Sequence, residues 1–181
     1  MTTLPELGWH HSPNESSRHG VLPYLIVVHR PAGSYASALR TLTEPRGPAS
    51  VSAHVLTEHD RATQLVAWDR KAWACEAFNA VSYNLEVDDN AWNGSDGVAW
   101  KKAARLVAYL CHKTGIPGQW STNPTHQAGV CRHYDLGRAG GGHTDPTTSL
   151  AHWRGFMRGV QAELRAGGFR DSYGRGHLAE L

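Results

Sequence analysis

Two rhythms of apolar and polar residues run along this chain, and each marks a different kind of element. Tyr24-Leu25-Ile26-Val27-Val28-His29 is a continuous apolar run that closes on a histidine. Gly20 bounds it on one side and Pro31 and Gly33 on the other, which predicts a buried strand over residues 22–29. Residues 51–56 predict a second strand, and residues 61–68 pair with it as a hairpin through Glu58-His59-Asp60. Val81 to Val87 alternates, with Val81, Tyr83, Leu85 and Val87 on one face and Ser82, Asn84 and Glu86 on the other. Gln127 to His133 predicts a further short strand. The helical rhythm is clearest from Ser95 to Thr114, where Ala99, Trp100, Ala103, Leu106, Val107, Leu110 and Cys111 form one stripe. Ser95 or Asp96 caps that helix, and Gly115 and Pro117 stop it. Thr148 to Ala166 predicts a last helix with Leu150, Trp153, Phe156, Met157, Val160 and Leu164 inward and Gly167 beyond its end. Ser34 to Leu42 predicts a short helix that ends before Pro45.

Strands and helices mix without a regular βαβ repeat. That order predicts an α/β fold, a single domain with a central mixed β-sheet flanked by helices. Residues 1–20, polar and rich in Pro13, Asn14, Ser16 and Ser17, read as an irregular lead-in. Residues 21–168 then form the domain, and residues 169–181 a short polar tail. A chain of 181 residues suits one domain around one core.

Composition removes several function classes. A net charge of +2 with scattered arginines argues against a nucleic-acid partner. No apolar run approaches the roughly 20 residues of a membrane span. Cys75, Cys111 and Cys131 are odd in number and lie far apart, against a disulfide framework or a cysteine-rich zinc site. Such thiols suit a reducing cytosol. Met1 to Asn14 carries no apolar core of a signal peptide, so synthesis in the cytoplasm without one is expected.

The candidate chemistry lies in one segment and one strand end. His133 is followed twelve positions later by Asp145, and Gly137, Gly140, Gly141 and Gly142 between them let the chain fold back. His133 and Asp145 can then face one point. With the strand-end His29 they make an N/N/O set of the kind catalytic zinc uses, leaving a fourth position for water. The chain has twelve histidines, and a single histidine is more often solvated or bonded to backbone. Asp145-Pro146 alone would only open a turn. The order and setting of the three pieces select them.

In that order the chain resembles the zinc-dependent N-acetylmuramoyl-L-alanine amidases of the amidase-2 type. The family includes phage lysozyme-type amidases, anhydro-muramyl amidases of wall recycling and the peptidoglycan recognition proteins. The resemblance runs from about Tyr24 to Trp153 and rests on LIVVHRPAG, VSAHVLTEHDRATQLV, AWACEAFNAVSYNLEV and GVCRHYDLGRAGGGHTDP. It implies Zn2+ as cofactor, with His29, His133 and Asp145 as ligands. Some members have cysteine at the last place, where aspartate is an equally ordinary zinc ligand. Cys131, two before His133, is a competing ligand, with a buried apolar role as the alternative.

The resemblance also implies that Glu86 is a catalytic base, which strand alternation would turn toward a cleft. The alternative is a solvent-facing strand carboxylate. His143 stands where many relatives have the lysine thought to stabilise the oxyanion. A histidine can donate there too, or it can be a solvated loop residue. Ala53 replaces a tyrosine of many phage members, and Trp73-Ala74-Cys75 replaces Trp-His-Ala, so a substrate-contacting histidine is missing. Trp73 and Asn79 are candidates to bind substrate, with core packing or turn capping as alternatives. His54 reads as a buried structural residue under the site.

The implied activity is hydrolysis of the amide between the lactyl group of N-acetylmuramic acid and L-alanine of the stem peptide. Peptidoglycan or a muropeptide is the implied partner, and a monomer is expected. The implied setting is bacteriolytic cell-wall degradation by a phage endolysin, which reaches the wall after release. The alternatives are a cytosolic anhydro-muropeptide recycling amidase, a non-catalytic peptidoglycan-binding module and an unrelated zinc hydrolase.

Overall fold

The computed structural model describes residues 7–93 and 97–169. Along the chain run β1 (Leu7–Trp9), β2 (Glu15–Ser17), β3 (Leu25–His29), α1 (Tyr35–Thr43), β4 (Val55–Glu58) and β5 (Arg61–Gln64). They are followed by β6 (Arg70–Ala72), β7 (Ser82–Glu86), α2 (Asp89–Trp92), α3 (Gly97–Thr114), β8 (Gly129–Arg132) and α4 (Leu150–Ala166). Six strands form the central sheet in the order β1-β5-β4-β7-β3-β8. β3 pairs parallel with both β7 and β8, whereas β4 and β5 pair antiparallel, so the sheet is mixed as expected. β2 and β6 make a separate antiparallel pair.

β3 explains itself by burial: all five of its residues are buried, as suits an apolar run between two parallel neighbours. Its alternation sorts the two faces. Ile26 and Val28, with Tyr83, Leu85 and Val130, pack against α3 and α4. Leu25 and Val27 face the opposite layer with Cys75, Phe78, Cys131 and Leu136. His29 continues that second face. So do Ser82, Asn84 and Glu86 of β7, the polar face predicted from alternation.

The helices end where their sequences say. Ser34 caps α1 by accepting from the Ser37 N–H, and Ser149 caps α4 by accepting from the His152 N–H. Gly115 at φ 72° ends α3, its N–H bonded to the Cys111 carbonyl. α3 is buried around most of its circumference, and its small Ala104 lies against Gly159 of α4. A Cβ on Gly159 would lie 3.3 Å from that of Ala104. No helix of the described residues is long and apolar enough to cross a membrane.

Several expectations change. The N-terminal segment read as an irregular lead-in contains β1 and β2. Both are short and largely exposed or half-buried, and pairing rather than pattern holds them. The second strand begins at Val55 instead of 51. Ser52 and His54 still bond across, to the Trp73 and Asn84 carbonyls, without joining a ladder. The hairpin strand stops at Gln64. The strand expected over 127–133 covers Gly129–Arg132, and His133 opens a 3₁₀ segment. The caps Ser95 and Asp96, and the tail from residue 170, lie outside the described residues.

Leu150, expected inward, is 46% exposed at the first position of α4. Phe156, in contrast, is fully buried among Trp92, Trp100 and Trp153. Phe156→Ala is therefore expected to cost about 3–5 kcal/mol. Leu150→Ala is expected to stay within about 0.5 kcal/mol of the parent. Urea unfolding of the two variants reads the difference.

Candidate metal centre and cleft

The site forms at the carboxyl ends of the parallel strands, the usual place for one in an open sheet with parallel strands. Register sets His29 beside Glu86, and Val28 beside Arg132, so His133 emerges next to His29. After the 3₁₀ segment His133–Gly140, Gly141 (φ 99°) and Gly142 (φ 74°) turn the chain back in backbone conformations that suit glycine. The return is stapled in place. The Tyr134 N–H donates to the Asp145 carbonyl at 2.9 Å. The buried Arg132 guanidinium grips Asp135 at 2.6 Å and reaches the Thr147 carbonyl at 3.2 Å. Trp120 Nε1–H donates to Asp135 at 2.9 Å. The Arg30 N–H donates to Asp145 Oδ2 at 3.2 Å, which aims the carboxylate inward.

The result is a tight convergence. His29 Nδ1 lies 3.0 Å from His133 Nδ1 and 3.6 Å from Asp145 Oδ2, and His133 Nδ1 lies 3.2 Å from Asp145 Oδ1. The back of each ring is occupied. His133 Nε2 is 2.7 Å from the Gly140 carbonyl, an acceptor only, so Nε2 carries a proton. His29 Nε2 is 3.0 Å from Asn84 Oδ1. With both protons on Nε2, two nitrogen lone pairs and a carboxylate face one another. That arrangement is repulsive unless a cation sits among them.

The donor set fits zinc: two imidazole nitrogens and one carboxylate, with ligand atoms all within 4.8 Å of one another. Burial, and then the neighbouring His133, push the pKa of His29 down to about 4, so it is neutral, as a ligand must be. Burial alone would raise the pKa of Asp145. The imidazoles of His133 and His29 and the Arg30 N–H outweigh it and hold the pKa below the usual value.

Glu86 and His143 complete the cleft, a cavity of about 330 Å3 that His29, His133 and Asp145 also line. Glu86 Oε2 is shielded and has no hydrogen-bond partner. Burial, and then the nearby Asp145 carboxylate, push its pKa up to about 8. His143 is exposed at the rim, its ring stacked on His133 with centroids 4.4 Å apart. A Cβ on Gly141 would lie 3.0 Å from that ring, so glycine there permits the approach.

Trp73 and Asn79, expected to bind substrate, do not line this cavity. Trp73 is held away by its Nε1–H bond to Ser16 at 3.0 Å. Asn79 Oδ1 is spent on the Ala74 and Cys75 N–H groups at 2.8 and 2.7 Å, a turn cap. Cys131 packs among Leu25, Val27 and Leu136 and is not part of the converging group of His29, His133 and Asp145. His54 lies under the site as expected. It accepts the Asn84 N–H at Nδ1 and is kept neutral by burial and by Arg18. Sequence reasoning missed Arg30, Leu42 and Ala74 in the cavity wall and Asn84 behind His29. Only the position of Asn84 on the Glu86 face of its strand hinted at its place.

Comparison with known proteins agrees with this geometry. Residues 20–148 match the amidase-2 family, described as N-acetylmuramoyl-L-alanine amidase. No curated protein matches the chain in sequence. Among solved structures, the Staphylococcus aureus hydrolase AmiA in complex with its ligand aligns with TM-score 0.71 and 18% identity, over 90% of this chain and 84% of that one. The PlyG catalytic domain aligns with TM-score 0.65 and 21% identity, over 92% and 99%. The N-acetylmuramoyl-L-alanine amidase LysC from Clostridium intestinale aligns with TM-score 0.60 and 13% identity, over 87% and 98%. At these identities the likeness is one of fold.

The raised pKa of Glu86 has a consequence for stability. A carboxyl whose pKa rises from 4.5 to about 8 on folding takes up a proton as the chain folds. Its cost is absent below the unfolded value, grows through that window and is complete above it. Metal-free Glu86→Gln is therefore expected to match the parent near pH 4.5 and to exceed it increasingly toward pH 8. Urea midpoints in chelator check this. Equal stability across the range would place the carboxylate in contact with water.

Proposed function

Because this chain belongs to the amidase-2 family of N-acetylmuramoyl-L-alanine amidases, we propose that it hydrolyses the amide joining N-acetylmuramic acid to L-alanine in peptidoglycan, with zinc held by His29, His133 and Asp145. One observation carries the metal assignment. The imidazoles of His29 and His133 turn their Nδ1 atoms on each other at 3.0 Å, beside the Asp145 carboxylate. A divalent cation turns that repulsion into attraction. Held by these three residues, zinc would supply Lewis-acid polarisation of the scissile carbonyl and would lower the pKa of water toward about 7.

The remaining chemistry belongs to the chain. Glu86 takes the proton of the attacking water and delivers it to the departing amine of L-alanine. Glu86 lines the cleft, and Oε2 has no competing protein donor. A cation nearby favours the ionised form that a base requires. His143, stacked on His133 at the rim, donates a hydrogen bond to the developing oxyanion. Pro31, Ala38, Leu42 and Val51 line the wall beside the reacting groups and exclude water from it.

Residues 21–168 are the proposed catalytic domain, acting as a monomer. Lysis of the cell wall in the manner of an endolysin, after release from the cytoplasm, is the proposed setting. Incubation with purified sacculi and with soluble anhydro-muropeptides, followed by mass spectrometry of the new termini, tests bond and setting together. Free L-alanine amino termini from sacculi support the proposal. Turnover of anhydro-muropeptides alone would move the protein to wall recycling, and binding without turnover would make it a recognition module.

The purified protein is expected to hold about one zinc per chain, and alanine at His29, His133 or Asp145 to remove both metal and activity. Full zinc occupancy in His133→Ala overturns the ligand assignment. Glu86→Gln is expected to keep zinc and fold while losing about a hundredfold or more in turnover. Unchanged turnover removes Glu86 from the reaction.

A further inference from the structure

Behind His29 lies a buried cluster that the reaction does not touch. Asn84 is fully buried at the middle of its strand, on the same face as Glu86. Its Oδ1 stands 3.0 Å from His29 Nε2 and 3.2 Å from Cys75 Sγ, and its Nδ2 stands 3.0 Å from Ser82 Oγ. The orientation of this amide decides which nitrogen of His29 carries the proton, and its neighbours determine that orientation.

The chain of donors starts at a carbonyl. The Phe78 carbonyl only accepts, so the Ser82 hydroxyl 2.8 Å away donates to it. Ser82 Oγ has then used its one hydrogen and must accept from Asn84, which makes Nδ2 the atom on that side. The carbonyl oxygen is left toward Cys75 and His29. Cys75 keeps its thiol hydrogen, to be donated to Oδ1 or to Ser82 Oγ at 3.3 Å. Reversing the amide would set an NH₂ group against the thiol and would leave two acceptors facing at Ser82. The Asn84 backbone is also anchored, its N–H donating to His54 Nδ1 at 3.0 Å.

We propose that Asn84 is a positioning residue of the metal centre: its Oδ1 accepts the Nε2–H of His29, fixing ring orientation and tautomer so that Nδ1 faces His133 and Asp145. The inference rests on His29 being a metal ligand. A neutral imidazole has one N–H, and a ring protonated at Nδ1 has no lone pair there for a cation. Partners behind a ligating histidine typically carry about 10–100-fold in metal affinity. Cys75 and Ser82 serve by holding the amide, and a thiol close to the centre stays out of it because it faces Asn84.

The test measures zinc dissociation constants by chelator competition for the parent, Asn84→Leu and Asn84→Asp. It adds long-range 1H–15N NMR of His29 in the metal-free parent at neutral pH. The expected tautomer is protonated at Nε2. Asn84→Leu, similar in size and without an acceptor, is expected to weaken zinc binding about 10–100-fold. Asn84→Asp keeps an acceptor at that place and is expected to retain most of the affinity. A parent protonated at Nδ1, or Asn84→Leu with parental affinity, overturns the inference while leaving the zinc centre standing. If Asn84→Leu does not fold, the tautomer of the parent and the affinity of Asn84→Asp decide. A parent that binds no zinc overturns the metal assignment itself, and this inference with it.

Discussion

The register between β3 and β7 places His29 opposite Glu86 at the carboxyl ends of the two strands, and the arrangement of the cleft follows from it. Side chains alternate faces along a strand, so a slip of one residue would turn His29 into the apolar layer under α3 and α4. It would also bring Ile26 and Val28 out toward the cleft. Register is secured by what each face buries. Ile26, Val28, Tyr83 and Leu85 fit only the helical side, and Leu25 and Val27 only the layer with Phe78 and Leu136. The hydrophobic core therefore performs an electrostatic task, holding two imidazoles where their lone pairs oppose each other.

Holding them costs free energy, and the structure offsets that cost behind and around the rings. Both Nε2 atoms find acceptors, the Gly140 carbonyl and the Asn84 amide. Arg132 and Asp135, both largely buried, pair bidentately and clamp the returning loop through Thr147. A buried ion pair of this kind adds little net stability but rigidly defines geometry. In the cleft, Glu86 Oε2 is shielded without a partner, and the two Nδ1 atoms face each other beside the Asp145 carboxylate.

Sequence identities of 13–21% with the solved relatives, at TM-scores of 0.60–0.71, show what this fold tolerates. The core demands apolar residues of suitable volume in alternation, which many sequences supply. In this chain the reach of Asn84 to Cys75 and Ser82 accounts for a cysteine and two polar side chains buried in that layer.

The sequence by itself determined the fold class and most of the centre. His29 was legible because a histidine that closes an apolar run lies at the end of a buried strand. His133 and Asp145 were legible because glycines between them let the chain return, and the face of Glu86 followed from period-two alternation. These are local signals, carried by neighbours in the chain. The tertiary structure alone decided the rest. β1 and β2 exist through pairing with distant strands and leave no pattern in their own few residues. Trp73 and Asn79 lie near the cleft in sequence, yet Ser16 and two backbone N–H groups draw them away from it. Leu150 fits the helical stripe but is exposed in the folded chain. The tautomer of each imidazole depends on an acceptor 55 positions away for His29 and on a carbonyl 7 positions away for His133. Periodicity reports which face a side chain takes. Only the folded chain determines which atom it meets there.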